Sequence, residues 1–163
     1  MKFLEGYGGQ TIAQLIAMKD HYRIDSLVLA VEQALGGRPE DELTEPERVV
    51  LAVEAMEREV NNGGYDQFFI NSSRTYAGTL VRALMLIGCP KAAAISADAI
   101  AVLAVPNAGD RNAVREAAFD LSDAGTHLLH ACDARYYAND ENIAQQLFAY
   151  IEAHQLEIRL YPN

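Results

Sequence analysis

Apolar residues recur at helical spacing along most of the chain. The clearest helix opens at the capping box Thr44-x-x-Glu47, whose side chains satisfy backbone N–H groups left free at a helix start. Four apolar residues then lie on one face, at i, i+4, i+7 and i+11: Val49, Val53, Met56 and Val60. This pattern predicts a long amphipathic helix with one buried face.

Further stretches repeat this periodicity between capping residues, glycines and prolines, and they predict helices over about 11–20, 25–35, 80–87, 90–104, 110–121 and 141–154. Residues 123–137 allow either a kinked continuation or a fresh helix, and 156–160 fit a short strand or a frayed end. The sequence contains no hairpin signal, repeat or linker. It therefore predicts an all-α fold, a single compact domain of about seven to nine helices over residues 1–163, with residues 1–10 as a flexible lead.

The long helix runs into an unusual stretch, Asn61-Asn62-Gly63-Gly64-Tyr65-Asp66-Gln67-Phe68-Phe69-Ile70-Asn71-Ser72-Ser73. The two asparagines and two glycines predict a helix stop, because these residue types adopt left-handed backbone angles at low cost. A short helix or turn over residues 65–70 follows, and the serines can cap the helix after it. This stretch is expected to form a sharp corner in the chain.

The corner places two amides four residues apart, so Gln67 and Asn71 face one side while Phe68 and Phe69 enter the core. Buried amides need partners, and this favours a rigid structural corner closed by hydrogen bonds. The alternative is a small-molecule pocket lined by the amides and Tyr65. We define the corner as Asn61, Asn62, Gly63, Gly64, Tyr65, Gln67, Phe68, Phe69 and Asn71.

The chain is strongly acidic, and its charge narrows the kinds of partner that it can bind. Among 163 residues, 23 acids stand against 13 bases, which gives a formal net charge of −10. Phosphate backbones and anionic membranes need Lys and Arg to neutralise them, so direct binding to nucleic acid or membrane is disfavoured. A basic partner is attracted instead.

Two cysteines form no disulfide framework, and the sequence shows neither a signal peptide nor an apolar run of about 18 residues. These features predict a cytoplasmic protein. The oligomeric state is left open by the sequence.

The acids fall into two groups. The first surrounds the start of the long helix, with three of its members on one flank away from the apolar face: Glu40, Asp41, Glu42, Glu45, Glu47, Glu54 and Glu57. The second would form a stripe at i, i+4 and i+7 if its helix continues that far: Glu116, Asp120 and Asp123. Both groups fit an ordinary solvated face, and both also fit an acidic array that occupies the Lys and Arg side chains of a DNA-binding protein.

Catalytic and metal chemistry finds little support. The cluster His127-x-x-His130-x-Cys132-Asp133 has ligand residue types but no evident fourth ligand and no standard zinc spacing. Capped or surface histidines and a small core cysteine explain it. No nucleophile elbow, phosphate loop or dinucleotide fingerprint is present. The sequence predicts a protein that is not an enzyme and has no catalytic residues, metal or cofactor.

The segment from Glu57 to Ser73 resembles the defining segment of a bacterial family of acidic DNA-mimic proteins, formerly a domain of unknown function. Ala83-Leu84-x-x-Ile87-Gly88, Asp133-x-x-Tyr136 and Tyr150-Ile151-x-x-His154 resemble its later pattern, so the likeness covers about residues 44–154. The resemblance implies an all-α, acidic, cytoplasmic bacterial domain. It also implies surface carboxylates that imitate DNA on the DNA-binding face of a transcription factor.

The resemblance and the residues together predict a non-enzymatic acidic binding protein that occupies the DNA-binding face of a basic partner such as a transcriptional regulator. One alternative is a generic protein-interaction domain of immunity or antitoxin type, whose partner need not bind DNA. A second is a small-ligand or enzymatic site at the corner. The ten candidate acids come from their spacing, since the resemblance assigns no particular interface residue.

Overall fold

The computed structural model describes residues 1–160, and over these residues the fold is all-α. Its helices are α1 (Ile12–Ala17), α2 (Ile24–Leu35), α3 (Glu45–Ile70), α4 (Leu80–Leu86), α5 (Pro90–Val102), α6 (Arg111–Phe119), α7 (Asp123–Tyr137) and α8 (Ile143–Ala153). Two short 3₁₀ helices span Glu40–Glu42 and Ser72–Tyr76. The predicted all-α fold of seven to nine helices is confirmed.

The chain divides into two compact units, and the division falls within α3. The terminal unit comprises Met1–Glu54 with the segment that starts at Asn142, and the central unit comprises Ala55–Glu141. The single domain over residues 1–163 stays a prediction.

In the terminal unit, α2 packs against both α1 and α8. Leu27 and Val31 of α2 are fully buried, as are Leu147 and Ile151 of α8. The predicted flexible lead makes defined bonds to this unit, since the Lys2 N–H donates to the His21 carbonyl at 3.0 Å and the Tyr7 N–H donates to Gln33 Oε1 at 2.9 Å.

In the central unit, α5 packs against α4 and α7. Cys89, the residue before α5, provides no side-chain cap. The cap comes from Glu141 instead, whose two carboxylate oxygens accept from the Lys91 and Ala92 N–H groups, each at 2.8 Å. A carboxylate at a helix N-terminus is favoured by the free N–H groups and the helix dipole. This contact ties the chain just before α8 to the start of α5.

The predicted helix stop is a kink. Helix α3 continues to Ile70, but Gly63 (φ −157°, ψ 17°) and Gly64 (φ 78°, ψ −177°) leave helical angles. The Gly64 combination is essentially restricted to glycine. After the kink, Phe68 and Phe69 are fully buried, as the sequence predicted. The two glycines therefore re-aim the end of a single long helix into the core of the central unit.

Candidate functional site

The corner is organised around a carboxylate that the sequence analysis did not select. Glu59 Oε2 accepts from Gln67 Nε2 at 2.7 Å and from Asn71 Nδ2 at 2.9 Å, while Glu59 Oε1 accepts from Ser73 Oγ at 2.9 Å. The two amides do face one side, as predicted, but they are not buried, since Asn71 is exposed and Gln67 is partly exposed. Ser73 joins them rather than capping the next helix. A signal was available in the sequence, because clustered donors need an acceptor and Glu59 lies one residue from the buried face at Val60.

Glu59 stays ionised inside this network. Only 8% of the residue is exposed, and burial alone would raise the pKa of its carboxyl. The three side-chain hydrogen bonds and the charge of Arg58, whose Nε lies 3.8 Å from Oε1, outweigh burial and lower that pKa overall. Glu59 is therefore a structural anion that holds the two sides of the kink together.

A second set of contacts joins the second half of α3 to α7, and we call it the α3–α7 seam. The Tyr65 N–H donates to Asp133 Oδ1 at 2.8 Å, and Tyr137 OH donates to the Val60 carbonyl at 2.5 Å. Tyr136 OH donates to the Glu57 carboxyl, and Asn61 Nδ2 donates to Tyr136 OH at 3.3 Å. The absence of a side chain at Gly64 makes this close approach possible, because a Cβ there would lie 2.4 Å from Asp133 Oδ2.

Tyr65 does not line an open site. The residue is fully buried, and its hydroxyl and Ser96 Oγ are hydrogen-bonded at 2.9 Å. Burial raises the pKa of this phenol, so it remains a neutral hydrogen-bonding group. The ring of Tyr136 meets the ring of Tyr65 edge-on, with centroids 6.2 Å apart. This packing supports the structural interpretation of the corner over a ligand pocket.

Two surface cavities of the central unit lie away from the corner. One, of about 540 Å³, is lined by Lys91, Ala94, Ile95, Arg135, Ala138, Asn139 and Asp140. The other, of about 410 Å³, is lined by Asp98, Ala101, Val102, Leu128, Ala131, Cys132 and Arg135. Neither cavity takes a lining residue from the corner. Asn61 and Asn62 are both exposed, and Asn61 Nδ2 donates to the Glu57 carbonyl at 2.7 Å and to Tyr136 OH.

Five of the seven acids predicted near the start of α3 lie at least partly at the surface of the terminal unit. Glu40, Asp41 and Glu42 form an exposed 3₁₀ turn, and Glu45 is exposed in the first turn of α3. Glu54 is partly exposed. We call the four fully exposed residues the acidic turn. They place four carboxylates within six residues, close to the free N–H groups of a helix start, where negative charge is favoured.

Glu47 corrects the predicted surface flank, because it is fully buried. The predicted capping box is present: Glu47 Oε2 accepts from the Thr44 N–H at 2.8 Å, and Thr44 Oγ1 accepts from the Glu47 N–H at 3.3 Å. Glu47 Oε1 also accepts from the Arg159 N–H at 2.7 Å and lies 3.3 Å from Arg38 Nη1. The capping carboxylate therefore anchors the C-terminal segment and cannot face a partner.

Replacing Glu47 by alanine is expected to lower the free energy of unfolding by about 2–3 kcal/mol, because two partly buried N–H groups lose their acceptor and the Arg38 guanidinium loses its ion-pair partner. Glu45→Gln, two residues away and exposed, is the matched control and should change stability by less than about 0.5 kcal/mol. Urea unfolding followed by far-ultraviolet circular dichroism measures both. Equal effects of the two variants would contradict the buried role of Glu47.

Glu57 is only partly exposed on the predicted surface flank. It is partly buried in the central unit, and its carboxyl accepts from Tyr136 OH. Burial raises the pKa of this carboxyl to about 7. A side chain that is bonded to Tyr136 and only partly ionised at neutral pH makes a poor phosphate substitute.

The second acidic group does not form one helical stripe. Helix α6 ends at Phe119, so Glu116 lies in the helix, Asp120 is its C-cap, and Asp123 begins α7 after the cap Ser122. All three acids are exposed. The three acids therefore do not form the predicted stripe on one helix. The junction between α6 and α7 still presents three surface carboxylates, which we call the acidic junction.

The candidate metal ligands His127, His130, Cys132 and Asp133 do not form a common site. His127 Nδ1 lies 2.7 Å from the Asp123 carbonyl, Cys132 is buried with 4% exposure, and Asp133 accepts from the Tyr65 N–H. Within residues 1–160, no group of three or more metal-ligating side chains comes together. Over the same part of the chain, no helix is both long enough and apolar enough to cross a membrane.

The fold and the two acidic surfaces define an acidic, all-helical protein whose most recognisable segment is a hydrogen-bonded structural corner. Residues 41–154 match the family described as DMP19-like protein, and the chain belongs to this family. The resemblance to the DNA-mimic family is thereby confirmed. Searches of curated proteins and of solved structures gave no match.

Proposed function

We propose that this protein is a non-enzymatic binding protein that occupies the DNA-binding face of a basic partner, such as a transcriptional regulator. The observation that carries the proposal is membership of the DMP19-like family, the DNA-mimic family, by a chain with a formal net charge of −10. Such a charge attracts partners whose Lys and Arg side chains normally contact phosphates.

The acidic turn is the first surface that supports the proposal. Its four members, Glu40, Asp41, Glu42 and Glu45, are all exposed. Carboxylates on neighbouring helix turns lie about 5–6 Å apart, whereas duplex DNA carries one charge per about 1.7 Å of its axis. A decoy of this kind replaces selected phosphates rather than the whole backbone, so a short cluster is sufficient to engage a few cations of the partner.

The acidic junction is the second surface that supports the proposal. Glu116, Asp120 and Asp123 are exposed at the end of one helix and the start of the next. The proposed interface acids are therefore the acidic turn, Glu54 and the acidic junction. Glu47 is left out because it is buried, and Glu57 because its carboxyl accepts from Tyr136 OH.

Neutralising the acidic turn tests the interface. The variant Glu40→Gln/Asp41→Asn/Glu42→Gln/Glu45→Gln is expected to weaken partner binding roughly tenfold or more, since exposed charge pairs contribute about 0.2–1 kcal/mol each. The immobilised protein first captures its partner from native cell extract. The purified partner is then titrated against each variant by calorimetry at two salt concentrations, and added salt should weaken binding to the unaltered protein most.

A matched control changes the same kind of charge elsewhere. Glu5→Gln/Asp20→Asn/Asp66→Asn removes three exposed acids that belong to neither surface, and it should leave affinity nearly unchanged. The three-site variant of the acidic junction is measured beside it. Equal losses for the control and both surface variants would show that only net charge matters, and unchanged affinity in both surface variants would overturn the proposed interface.

Competition with DNA separates the leading function from a generic interaction domain of immunity or antitoxin type. If the partner uses the same face for both, short duplex DNA displaces it from the immobilised protein. A partner that stays bound in excess duplex DNA, and does not bind DNA itself, would favour the generic interaction domain.

A further inference from the structure

Glu57 is a partly buried acid that lacks a cationic partner. Its carboxyl accepts from Tyr136 OH, and no Lys, Arg or His side chain of residues 1–160 forms an ion pair with it. The neighbouring Arg58 is exposed and turns to Glu59. An ionised carboxylate in such a place is costly, because a single hydroxyl replaces only part of its hydration.

The groups near Glu57 within the central unit provide no positive charge that would offset its burial. From α3 these are Tyr65 and Asn61, from α7 Tyr136, and from the residue before α5 the thiol of Cys89. Tyr65 and Cys89 are fully buried, and none of these groups carries positive charge. Burial raises the pKa of Cys89 to about 11, and the negative charges of Glu141 and Glu57 add to this effect.

Glu57 is placed where its charge affects how α3 and α7 are joined. Tyr136 is shared between the Glu57 carboxyl and Asn61, and the adjacent Tyr137 holds the Val60 carbonyl. An ionised Glu57 binds water more strongly than a neutral one, so hydration of its carboxylate competes with the contact to Tyr136. A neutral Glu57 needs little hydration and leaves the seam closed.

We propose that Glu57 is a proton-controlled latch of the central unit, which closes the α3–α7 seam when its carboxyl is protonated and loosens the seam when it ionises. The proton is exchanged with solvent, and no other reactant is needed. This role is independent of partner binding, because Glu57 lies outside the proposed interface. It gives the protein a stability that responds to pH in the physiological range.

The direction of the response follows from the raised pKa of about 7 in the folded protein, against an ordinary value of 4.5. Between these values the folded state holds more protons than the unfolded state, so stability falls as pH rises. The contribution is fully present below about pH 4.5 and is lost by the time pH passes about 7. From about pH 5 to pH 8 the unfolding equilibrium constant should rise roughly ten- to a hundredfold through this group.

The direct test titrates the unaltered protein. Carbon-13 nuclear magnetic resonance of the glutamate side chains should give Glu57 a midpoint near pH 7, set well above the ordinary glutamate value. Hydrogen exchange of the Tyr65 amide, which lies in the seam, should accelerate above this midpoint by more than the intrinsic pH effect. A midpoint near 4.5, or seam protection that does not follow the midpoint, would overturn the latch.

Variants separate the latch from a merely structural side chain. Glu57→Gln keeps an acceptor for Tyr136 and cannot ionise, so its unfolding midpoint in urea should be nearly flat from pH 5 to pH 8 and exceed that of the unaltered protein at pH 8. Asp66→Asn removes an exposed carboxylate from the same helix and should retain the pH response. Retention of the full response in Glu57→Gln would overturn the proposal.

Discussion

Replacing Glu59 by alanine is expected to lower the free energy of unfolding by about 3 kcal/mol. The substitution removes the common acceptor of Gln67, Asn71 and Ser73, and the Ser73 hydroxyl is buried, with 3% of the residue exposed. Leaving a buried polar group unpaired costs about 1–3 kcal/mol, more than the net gain from making its hydrogen bond. Urea unfolding followed by far-ultraviolet circular dichroism gives the value.

Two companion variants test the reason for this loss. Glu59→Gln keeps the shape but turns one acceptor into a donor, so it should cost about 1–2 kcal/mol. Because Ser73 acts through Glu59, the double variant Glu59→Ala/Ser73→Ala should lose less than the sum of its single variants. Strict additivity would show that the hydroxyl and the carboxylate act separately.

The Glu59 effect also has a defined pH dependence. Since hydrogen bonding lowers the pKa of this carboxyl in the folded protein, its contribution is present above the ordinary glutamate value and is lost as pH falls through the lowered one. The difference between Glu59→Gln and the unaltered protein should therefore shrink in acid. Glu57 has the opposite sign, so stability should be greatest at mildly acidic pH.

Gly64→Ala is the second substitution expected to have a large effect, with a loss of about 3–4 kcal/mol. The backbone angles at Gly64 are strained for any residue with a side chain, at a cost of about 1–3 kcal/mol. The added Cβ would also lie 2.4 Å from Asp133 Oδ2, which is a steric clash. To relieve it, either α7 must move or Asp133 must give up its hydrogen bond to the Tyr65 N–H. Thermal and urea unfolding measure the combined cost.

The chain offers a control that isolates the backbone contribution. Gly37 also has a positive φ, of 80°, but nothing lies within 4 Å of a Cβ built there. Gly37→Ala should therefore cost only about 1 kcal/mol. If Gly64→Ala proved no worse than Gly37→Ala, the close approach of Asp133 would not be the reason for glycine at the kink.

Much of the local structure could be predicted from the sequence because it depends on residues close together in the chain. The Thr44–Glu47 capping box and the fully buried Phe68 and Phe69 follow from spacing alone. The extent of α6 could not be predicted, because the acids at 116, 120 and 123 keep helical spacing while the helix itself ends at Phe119. A periodic pattern gives no information on where a cap interrupts it.

Acids were harder to place than apolar residues, because a carboxylate has the same sequence signature whether it faces water or a buried donor. Glu47 lies two residues from the exposed Glu45 and has similar neighbours in the sequence, yet it is buried. Its partners are Arg38, nine residues before it, and the Arg159 N–H, 112 residues after it. Glu59 was overlooked for the same reason. Its donors are found only after the kink brings residues 67–73 back towards it.

The sequence by itself determined the helical class, the acidic charge, the family and the position of the break at Asn61-Asn62-Gly63-Gly64. These properties depend on composition and on neighbours within a few turns. Only the tertiary structure decided which acids are exposed at the surface and which hold the fold together. Burial and hydrogen-bond partners arise from residues far apart in the chain. They bury Glu47 and Glu59 and bond Glu57 to Tyr136, while the acidic turn stays exposed.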